Sequence, residues 1–435
     1  MSTLTDLSLR ETLEVACADE ECSLDALTVL SDKTDPFRVD TPARRRDGEW
    51  FAEQVQQLGL DGDAIHLRGL HYMLVSSTSR KPEGTAYANT DDDWDWLQEK
   101  ASKAARWLGL VPFERIVDHR NDAPEIALFE PVELEPFVSV GFEVDIPTAD
   151  EALRPGVGVE GFDGLQRHKL VFVGEKSSLR DVLEPIATEH EADLYLPTGD
   201  ISDTQIYDMA KRGAQDGRRL VVLYFADCDP GGWHMPISVG RKLQALRVLH
   251  FPELDFEVRR VALTPPQVRA YGLPSTPLKA TEKRADRWQQ AMGVEQTEID
   301  ALAALQPHLL EEIAREAIGP FFDYSLASRV ASARREWVAE AQEALAEQLD
   351  TGRLAGIYTE GARTLLGFHR DVQELNERLA AEVGDVENYE LPEPVIPDGE
   401  ITITTDGEPL IDSEWSFAEQ SRRLKADREY EGGEA

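Results

Sequence analysis

Three acidic residues stand directly after two short apolar runs of the sequence. Glu175 follows the run 169–173, and Asp227 and Asp229 follow the run 220–225. Such runs are typical of buried parallel strands, and ligands of open α/β sheets bind outside the carboxyl ends of the strands. Clustered carboxylates repel one another unless a cation balances them, and Mg²⁺ prefers carboxylate and water ligands. The pattern predicts a Mg²⁺ site that works on phosphates, or else an unusually acidic strand edge.

The segments between and after these runs alternate between helical and strand patterns. A helix is predicted at 178–190, a short strand at 193–196 and a helix at 203–213. Another helix, 237–248, and a strand, 256–263, follow the Asp-x-Asp loop. This alternation is expected of a parallel sheet with covering helices.

The acidic residues and the strand order together resemble the Toprim domain of topoisomerases, primases and related nucleases. The signature of that family is a glutamate after the first strand and an Asp-x-Asp after a later one. Glu175, Asp227 and Asp229 match the signature position for position. The resemblance implies a Toprim domain over residues 165–275, with these three carboxylates as the Mg²⁺ ligands.

A second reactive pair lies on a predicted amphipathic helix, residues 65–75. Arg68 and Tyr72 are four residues apart, so they are neighbours on the helix surface. A phenol can attack a phosphodiester as a covalent nucleophile, and a guanidinium can hold phosphate oxygens. His71 could accept the phenol proton, as could a metal-bound hydroxide of another subunit. The structural alternative makes Tyr72 a core aromatic residue and Arg68 a solvated charge.

An arginine, a tyrosine four residues later and then a Toprim-like segment resemble the topoisomerase VI A subunit and the meiotic double-strand-break transesterases. In that family the tyrosine lies in a winged-helix domain before the Toprim domain. Segments 227–233 and 197–200 also resemble loops of the family. Two positions depart from it, because Gly69 replaces the usual acidic residue and His71 replaces a residue that is often aromatic.

The resemblance implies Mg²⁺-dependent cleavage and rejoining of double-stranded DNA, with Tyr72, Arg68 and Glu175 as catalytic residues. Tyr72 would form a 5′-phosphotyrosyl link, and the tyrosine of one subunit would meet the metal site of another in a homodimer. The sequence carries no ATPase signature of its own, so strand passage would need an ATPase partner in trans. Two alternatives stay open: a hydrolytic Toprim nuclease of plasmid or phage defence, and a non-catalytic DNA-binding protein with the same fold.

The expected fold combines α/β and α+β domains, with a winged-helix-like domain before the Toprim domain. The predicted divisions are a helical extension, the winged-helix-like domain with Tyr72, the Toprim domain, a helical region and an acidic, partly disordered tail: 1–45, 46–150, 165–275, 276–383 and 384–435.

Composition limits where such a protein would work. The chain carries 45 basic and 83 acidic residues, a net charge of −38, whereas residues 44–120 carry 11 against 13, a net of −2. DNA contacts are expected in that less acidic region, because neutralised phosphates supply most nucleic-acid affinity. No apolar run approaches the roughly 18 residues of a membrane span. Three cysteines without zinc spacing favour a reducing cytoplasm, where a DNA enzyme would be nucleoid-associated.

Overall fold

A computed structural model gives the structure of most of the chain. It describes residues 7–31, 34–60, 64–117, 123–128, 132–141, 155–278, 282–365, 369–401, 403–405 and 407–429, without the side chains of 362–371. The described residues divide into two compact units. The first lies within Met1–Ala127, His168–Phe321 and Ile403–Ala435, and the second within Leu128–Arg167 and Phe322–Thr402.

The fold is mixed α/β. The helices are α1 (Leu9–Asp19), α2 (Pro42–Gln57), α3 (Leu67–Ser76), α4 (Asp91–Trp96), α5 (Ser102–Trp107), α6 (Arg180–Glu189), α7 (Asp203–Asp216), α8 (Pro230–Leu249), α9 (Pro265–Tyr271), α10 (Ala285–Met292), α11 (Ile299–Leu305), α12 (Pro307–Ile318), α13 (Leu326–Gln348), α14 (Thr351–Leu365), α15 (His369–Val383) and α16 (Phe417–Glu429). The strands are β1 (Glu135–Ser139), β2 (Gly156–Glu160), β3 (His168–Gly174), β4 (Asp193–Tyr195), β5 (Arg219–Phe225), β6 (Phe256–Ala262) and β7 (Ile411–Asp412).

A five-stranded sheet in the order β4-β3-β5-β6-β7 forms the centre of the first unit. The first four of these strands are parallel, and β7 pairs antiparallel with β6. The parallel sheet predicted from the apolar runs is therefore confirmed. Gly174 at the end of β3 lies beside Phe225 at the end of β5. The residues that follow these two strands consequently leave the sheet at the same edge.

The helix after β5 begins seven residues earlier than the pattern predicted. α8 starts at Pro230, and Asp229 caps it by accepting hydrogen bonds from the backbone N–H groups of Gly231 and Gly232, both at 2.8 Å. An Asp cap followed by Pro at the first helical position is a strong start signal. Pro236 within the helix obscured that signal, because proline usually marks a helix boundary.

A second apolar core of the first unit is enclosed by helices. α4 continues through a π-helical turn, Leu97–Ala101, into α5, and these pack with α2 and α3. The core residues include Phe51, Leu70, Leu74, Leu97 and Ala101. The expected domain 46–150 does not coincide with this core, because the contact boundary falls at Ala127 and the β1–β2 ribbon belongs to the second unit.

The second unit pairs this antiparallel ribbon with long helices. Val157 and Val159 of β2 pack against Trp337 and Ala341 of α13. A further apolar cluster, which includes Leu375, joins α14 and α15. The helical region predicted at 276–383 is largely helical, but its members are shared between both units.

The acidic C-terminal segment predicted at 384–435 is divided between the two units, and its part from residue 403 onwards contributes to the first unit. β7 extends the sheet, and α16 packs on α8. Arg241 of α8 is fully buried, and its Nε lies 3.0 Å from Asp35 Oδ1. The same guanidinium donates to Leu27 O at 3.1 Å and to Ser421 Oγ at 2.9 Å. One buried cation thus ties both outer segments of the chain to α8. Among the described residues, no helix is long and apolar enough to cross a bilayer.

His234 gives this unit a pH-dependent stability. Burial, together with the nearby positive charges of Arg284, Arg428 and Arg260, lowers the pKa of His234 to about 4. The folded state then binds fewer protons than the unfolded state, in which the pKa is about 6.5. The contribution of neutral His234 to the stability of the folded state is complete above about pH 6.5 and is lost as the pH falls towards 4. We expect the free energy of unfolding, measured with urea, to fall less between pH 6.5 and pH 4 in His234→Gln than in the wild type. If the free energies of both proteins change with pH in parallel, this expectation is wrong.

Candidate functional site

Glu175 and Asp227 follow adjacent strands and bond directly to each other. The backbone N–H of Asp227 donates to Glu175 Oε2 at 2.9 Å. The N–H of Glu175 donates to Phe225 O at 2.9 Å, and Gly199 N–H donates to Glu175 O at 3.1 Å. The loops that follow β3, β4 and β5 are thereby held together at one edge of the sheet.

Ionisation of the carboxyl groups at this edge is unfavourable, because they are partly buried and lie close to one another. Burial raises the pKa of Glu175 to about 7, and the charges of Asp227 and Asp229 also raise it. Burial raises the pKa of Asp227 as well, with a further contribution from Asp229. Carboxyl groups in this state are stabilised in their ionised form by an added cation. The donor set therefore fits a hard divalent cation in charge and ligand type.

Asp229 has a structural role, as the cap of α8, in addition to any role in binding a cation. Its Oδ1 caps α8, so Oδ2 is the oxygen that it could offer to a cation. The turn is tight, because a Cβ placed on Gly232 would lie 2.2 Å from the carbonyl oxygen of Asp227. The backbone thus requires a capping side chain at Asp229 and a glycine at position 232, whatever chemistry the loop supports.

The ammonium group of Lys176 is bound to Asp227 at the position where a metal ion would bind. Its Nζ lies 3.0 Å from Asp227 Oδ2, while Ile299 N–H donates to Asp227 Oδ1 at 2.8 Å. Burial lowers the pKa of Lys176, but hydrogen bonds to Glu298 and Asp227 outweigh this and raise it above its usual range. Within the described part of the chain, no group of three or more His, Cys, Asp or Glu is arranged to hold a metal ion. The predicted ligands thus share one edge, and a cation would need the oxygen that Lys176 occupies.

A segment distant in sequence covers the Asp-x-Asp loop. Cys228 N–H donates to Thr297 O at 2.9 Å, and Thr297 N–H donates back to Cys228 O at 3.1 Å. We call residues 297–300, which include the first two residues of α11, the covering segment. Sequence reasoning missed its Glu298 and Asp300, because the bond from Lys176 to Glu298 spans 122 positions and no local pattern marks it.

Tyr72 and Arg68 lie on the outer surface of α3. Tyr72 is 53% exposed, so it is not the core aromatic residue of the structural alternative. Leu70 and Leu74 of the same helix are buried, as its amphipathic pattern predicted. The Arg68 guanidinium stacks over the ring of Trp94, 4.3 Å from its centroid. This cation–π contact holds the exposed Arg68 side chain against the ring of Trp94.

His71 faces inward and cannot serve Tyr72 in this arrangement. Its Nδ1 lies 2.7 Å from the hydroxyl of Tyr87, and its Nε2 lies 3.0 Å from Asn89 Oδ1. With both nitrogens bonded and the side chain buried, His71 is a structural residue. The expectation that it accepts the phenol proton is therefore wrong.

Arg68 also lines a cleft of about 630 Å³ in the first unit. The cleft is lined by several further basic side chains, namely Arg44, Lys100, Lys103, Arg106 and Lys242. Among its acidic residues, Asp203 is paired with Lys242 at 2.8 Å. Asp200 also lines the cleft and directly follows Gly199, the residue bonded to Glu175. The described lining does not include Tyr72. Lys103 is likewise paired with Glu99, so the cleft carries both basic and acidic groups beside the loop that follows β4.

No model of a known protein family matches the chain, and neither does any curated protein.

Proposed function

We propose that this protein cleaves double-stranded DNA by tyrosine transesterification, in the manner of the topoisomerase VI A subunit. One observation carries the proposal. An exposed Tyr72, beside a surface-held Arg68, belongs to the same compact unit as the Glu175–Asp227 pair at the sheet edge. In this proposal the helical core around α3 acts as the winged-helix-like domain, and the five-stranded sheet acts as the Toprim domain.

Each group has a defined part in the proposed reaction. The phenol oxygen of Tyr72 attacks phosphorus, the bond from phosphorus to the 3′ oxygen breaks, and the proton lost by the phenol is balanced by one gained by the 3′ oxygen. Arg68 holds the non-bridging phosphate oxygens. Glu175, Asp227 and Asp229 would hold Mg²⁺, which when bound supplies positive charge for the phosphate and the leaving oxygen. A homodimer would bring Tyr72 of one subunit to the acidic edge of its partner.

The remaining roles follow from this activity. Basic residues of the cleft would contact the DNA backbone. Because the chain has a net charge of −38, a local group of basic residues would be needed to bind the phosphates. Strand passage would require an ATPase partner in trans, and a nucleoid-associated, cytoplasmic location would supply the substrate. Cleavage alone would require only the homodimer.

Replacing the nucleophile tests the proposal directly. We expect Tyr72→Phe to bind supercoiled plasmid as wild type does but to give no protein–DNA adduct after rapid SDS quenching, because the phenol oxygen is the atom that bonds to phosphorus. The matched control is Tyr324→Phe. Tyr324 is similarly exposed, at 55%, but no arginine stands three or four residues before it in the sequence. An adduct in Tyr72→Phe at the wild-type level would remove Tyr72 from the reaction.

A hydrolytic nuclease is the second candidate function. The observation that favours it is that Arg68 lines the basic cleft whereas Tyr72 is not among the described lining residues. In this case water attacks the phosphate, and Tyr72 contributes only to the surface. Plasmid cleavage by Tyr72→Phe at the wild-type rate, without an adduct in either protein, would establish the nuclease in place of the transesterase.

A further inference from the structure

Lys176 pairs with carboxylates from two separate parts of the first unit. Its Nζ lies 3.0 Å from Asp227 Oδ2, 3.0 Å from Glu298 Oε2 and 3.1 Å from Asp300 Oδ2. The side chain of Asp227 is 7% exposed, whereas those of Glu298 and Asp300 are 51% and 41% exposed. The ammonium therefore stands between a buried carboxylate of the candidate metal centre and a solvated acidic pair.

The covering segment that presents this pair is fixed by main-chain bonds. Thr297 exchanges two backbone hydrogen bonds with Cys228, and Ile299 N–H donates to Asp227 Oδ1. These bonds do not involve Lys176. The acidic side chains on either side of Ile299 therefore keep their anchorage when the lysine side chain rotates away from Asp227.

We propose that Lys176 is the resident counter-ion of the metal centre, and that a divalent cation binds by displacing it from Asp227 onto the Glu298–Asp300 pair. The inference rests on the proposed function in one respect, namely that the centre binds a divalent cation. Two cations cannot share Asp227 Oδ2 without strong repulsion. An ammonium left partly buried without an anion would also be costly. The acidic pair removes that second cost, because it retains the ammonium after displacement.

Manganese binding to the full chain, measured by isothermal titration and electron paramagnetic resonance, tests the inference without DNA. We expect Lys176→Met to tighten Mn²⁺ binding by about tenfold or more, because a competing charge is removed. We expect Glu298→Gln/Asp300→Asn to weaken it by about tenfold, because the displaced ammonium then lacks a partner. Lys211→Met is the matched control, since its Nζ also lies 3.0 Å from a carboxylate, that of Glu114, and it should leave the affinity unchanged.

Combining the changes separates displacement from simple charge effects. With Lys176→Met in place, adding Glu298→Gln/Asp300→Asn should alter the Mn²⁺ affinity by less than about threefold, because no ammonium remains to be received. Equal weakening in both backgrounds would mean that the pair acts by charge or as ligands, and would overturn the proposal. An unchanged affinity in Lys176→Met would overturn it too. Circular dichroism and thermal unfolding would verify that each variant is folded.

Plasmid cleavage, scored separately, keeps this inference distinct from the proposed function. Mn²⁺ binding that follows the expected pattern in a protein that never cuts DNA would keep the counter-ion role and reject the DNA-cleaving function. If the protein cleaves DNA in a Mg²⁺-dependent way but Lys176→Met and wild type bind Mn²⁺ with the same affinity, the DNA-cleaving function is kept and the counter-ion role is rejected. If no variant binds Mn²⁺, both the counter-ion role and the metal centre are rejected.

Discussion

Asp227→Asn is expected to lower Mg²⁺-dependent plasmid cleavage by about 10³-fold or more, the scale on which loss of a charge-stabilising group acts. An asparagine oxygen can still accept the hydrogen bond from Ile299 N–H, so the loop should keep its shape. The negative charge that a cation requires is lost, however. Conversion of supercoiled plasmid to nicked and linear forms, with and without EDTA, measures the effect.

The control for this experiment is another partly buried aspartate. Burial raises the pKa of Asp208 on α7, as it does for Asp227, but Asp208 does not belong to the acidic edge. Asp208→Asn should therefore cut plasmid at close to the wild-type rate. Glu175→Gln should behave like Asp227→Asn. If both edge variants cleave as wild type does, the acidic edge has no part in DNA cleavage.

Asp35→Asn is expected to lower the free energy of unfolding by about 3–5 kcal/mol, because it leaves Arg241 buried without a counter-charge. Both side chains of this pair are fully buried. The Asp35 carboxylate also accepts bonds from the backbone N–H groups of Val29, Leu30 and Phe37 at 3.1–3.2 Å. Urea unfolding at neutral pH gives the change.

An exposed ion pair supplies the comparison. Asp40 pairs with Arg45 at 2.7 Å, where the arginine side chain is 49% exposed. Asp40→Asn should cost no more than about 1 kcal/mol, as is usual for surface pairs. Equal costs for Asp35→Asn and Asp40→Asn would show that water reaches Arg241 in solution, and that the buried pair does not hold the outer segments of the chain.

The sheet and its acidic edge could be predicted because their signals are local. An apolar run identifies a strand, and the residue after it must leave at the strand end, as Glu175 and Asp227 do. The burial of Leu70 and Leu74 followed in the same way from their helical spacing, whereas the exposure of Tyr72 was left open between a nucleophile and a core aromatic residue. The orientation of His71 did not follow, because it depends on Tyr87 in a later segment of the chain.

The features that escaped prediction all depend on contacts between distant residues. β7 has only two residues, too few to show an alternating pattern. Lys176 is adjacent to Glu175 in sequence, but it pairs with Glu298. The partners of Arg241 include Asp35 and a residue beyond position 400, Ser421. A single charged residue in a sequence says nothing about its partner. Such pairs become visible only when the chain has folded.

The order in which the chain is synthesised gives the interrupted first unit a further consequence. Its three portions are separated by both portions of the second unit, so a ribosome must deliver residues beyond 410 before β7 can join the sheet. Ser421 reaches α8 even later, and α8 begins at the cap provided by Asp229. Folding that depends on such distant contacts is slow. A nascent chain therefore lacks β7, the last strand of the sheet that carries the acidic edge, until those residues have been made.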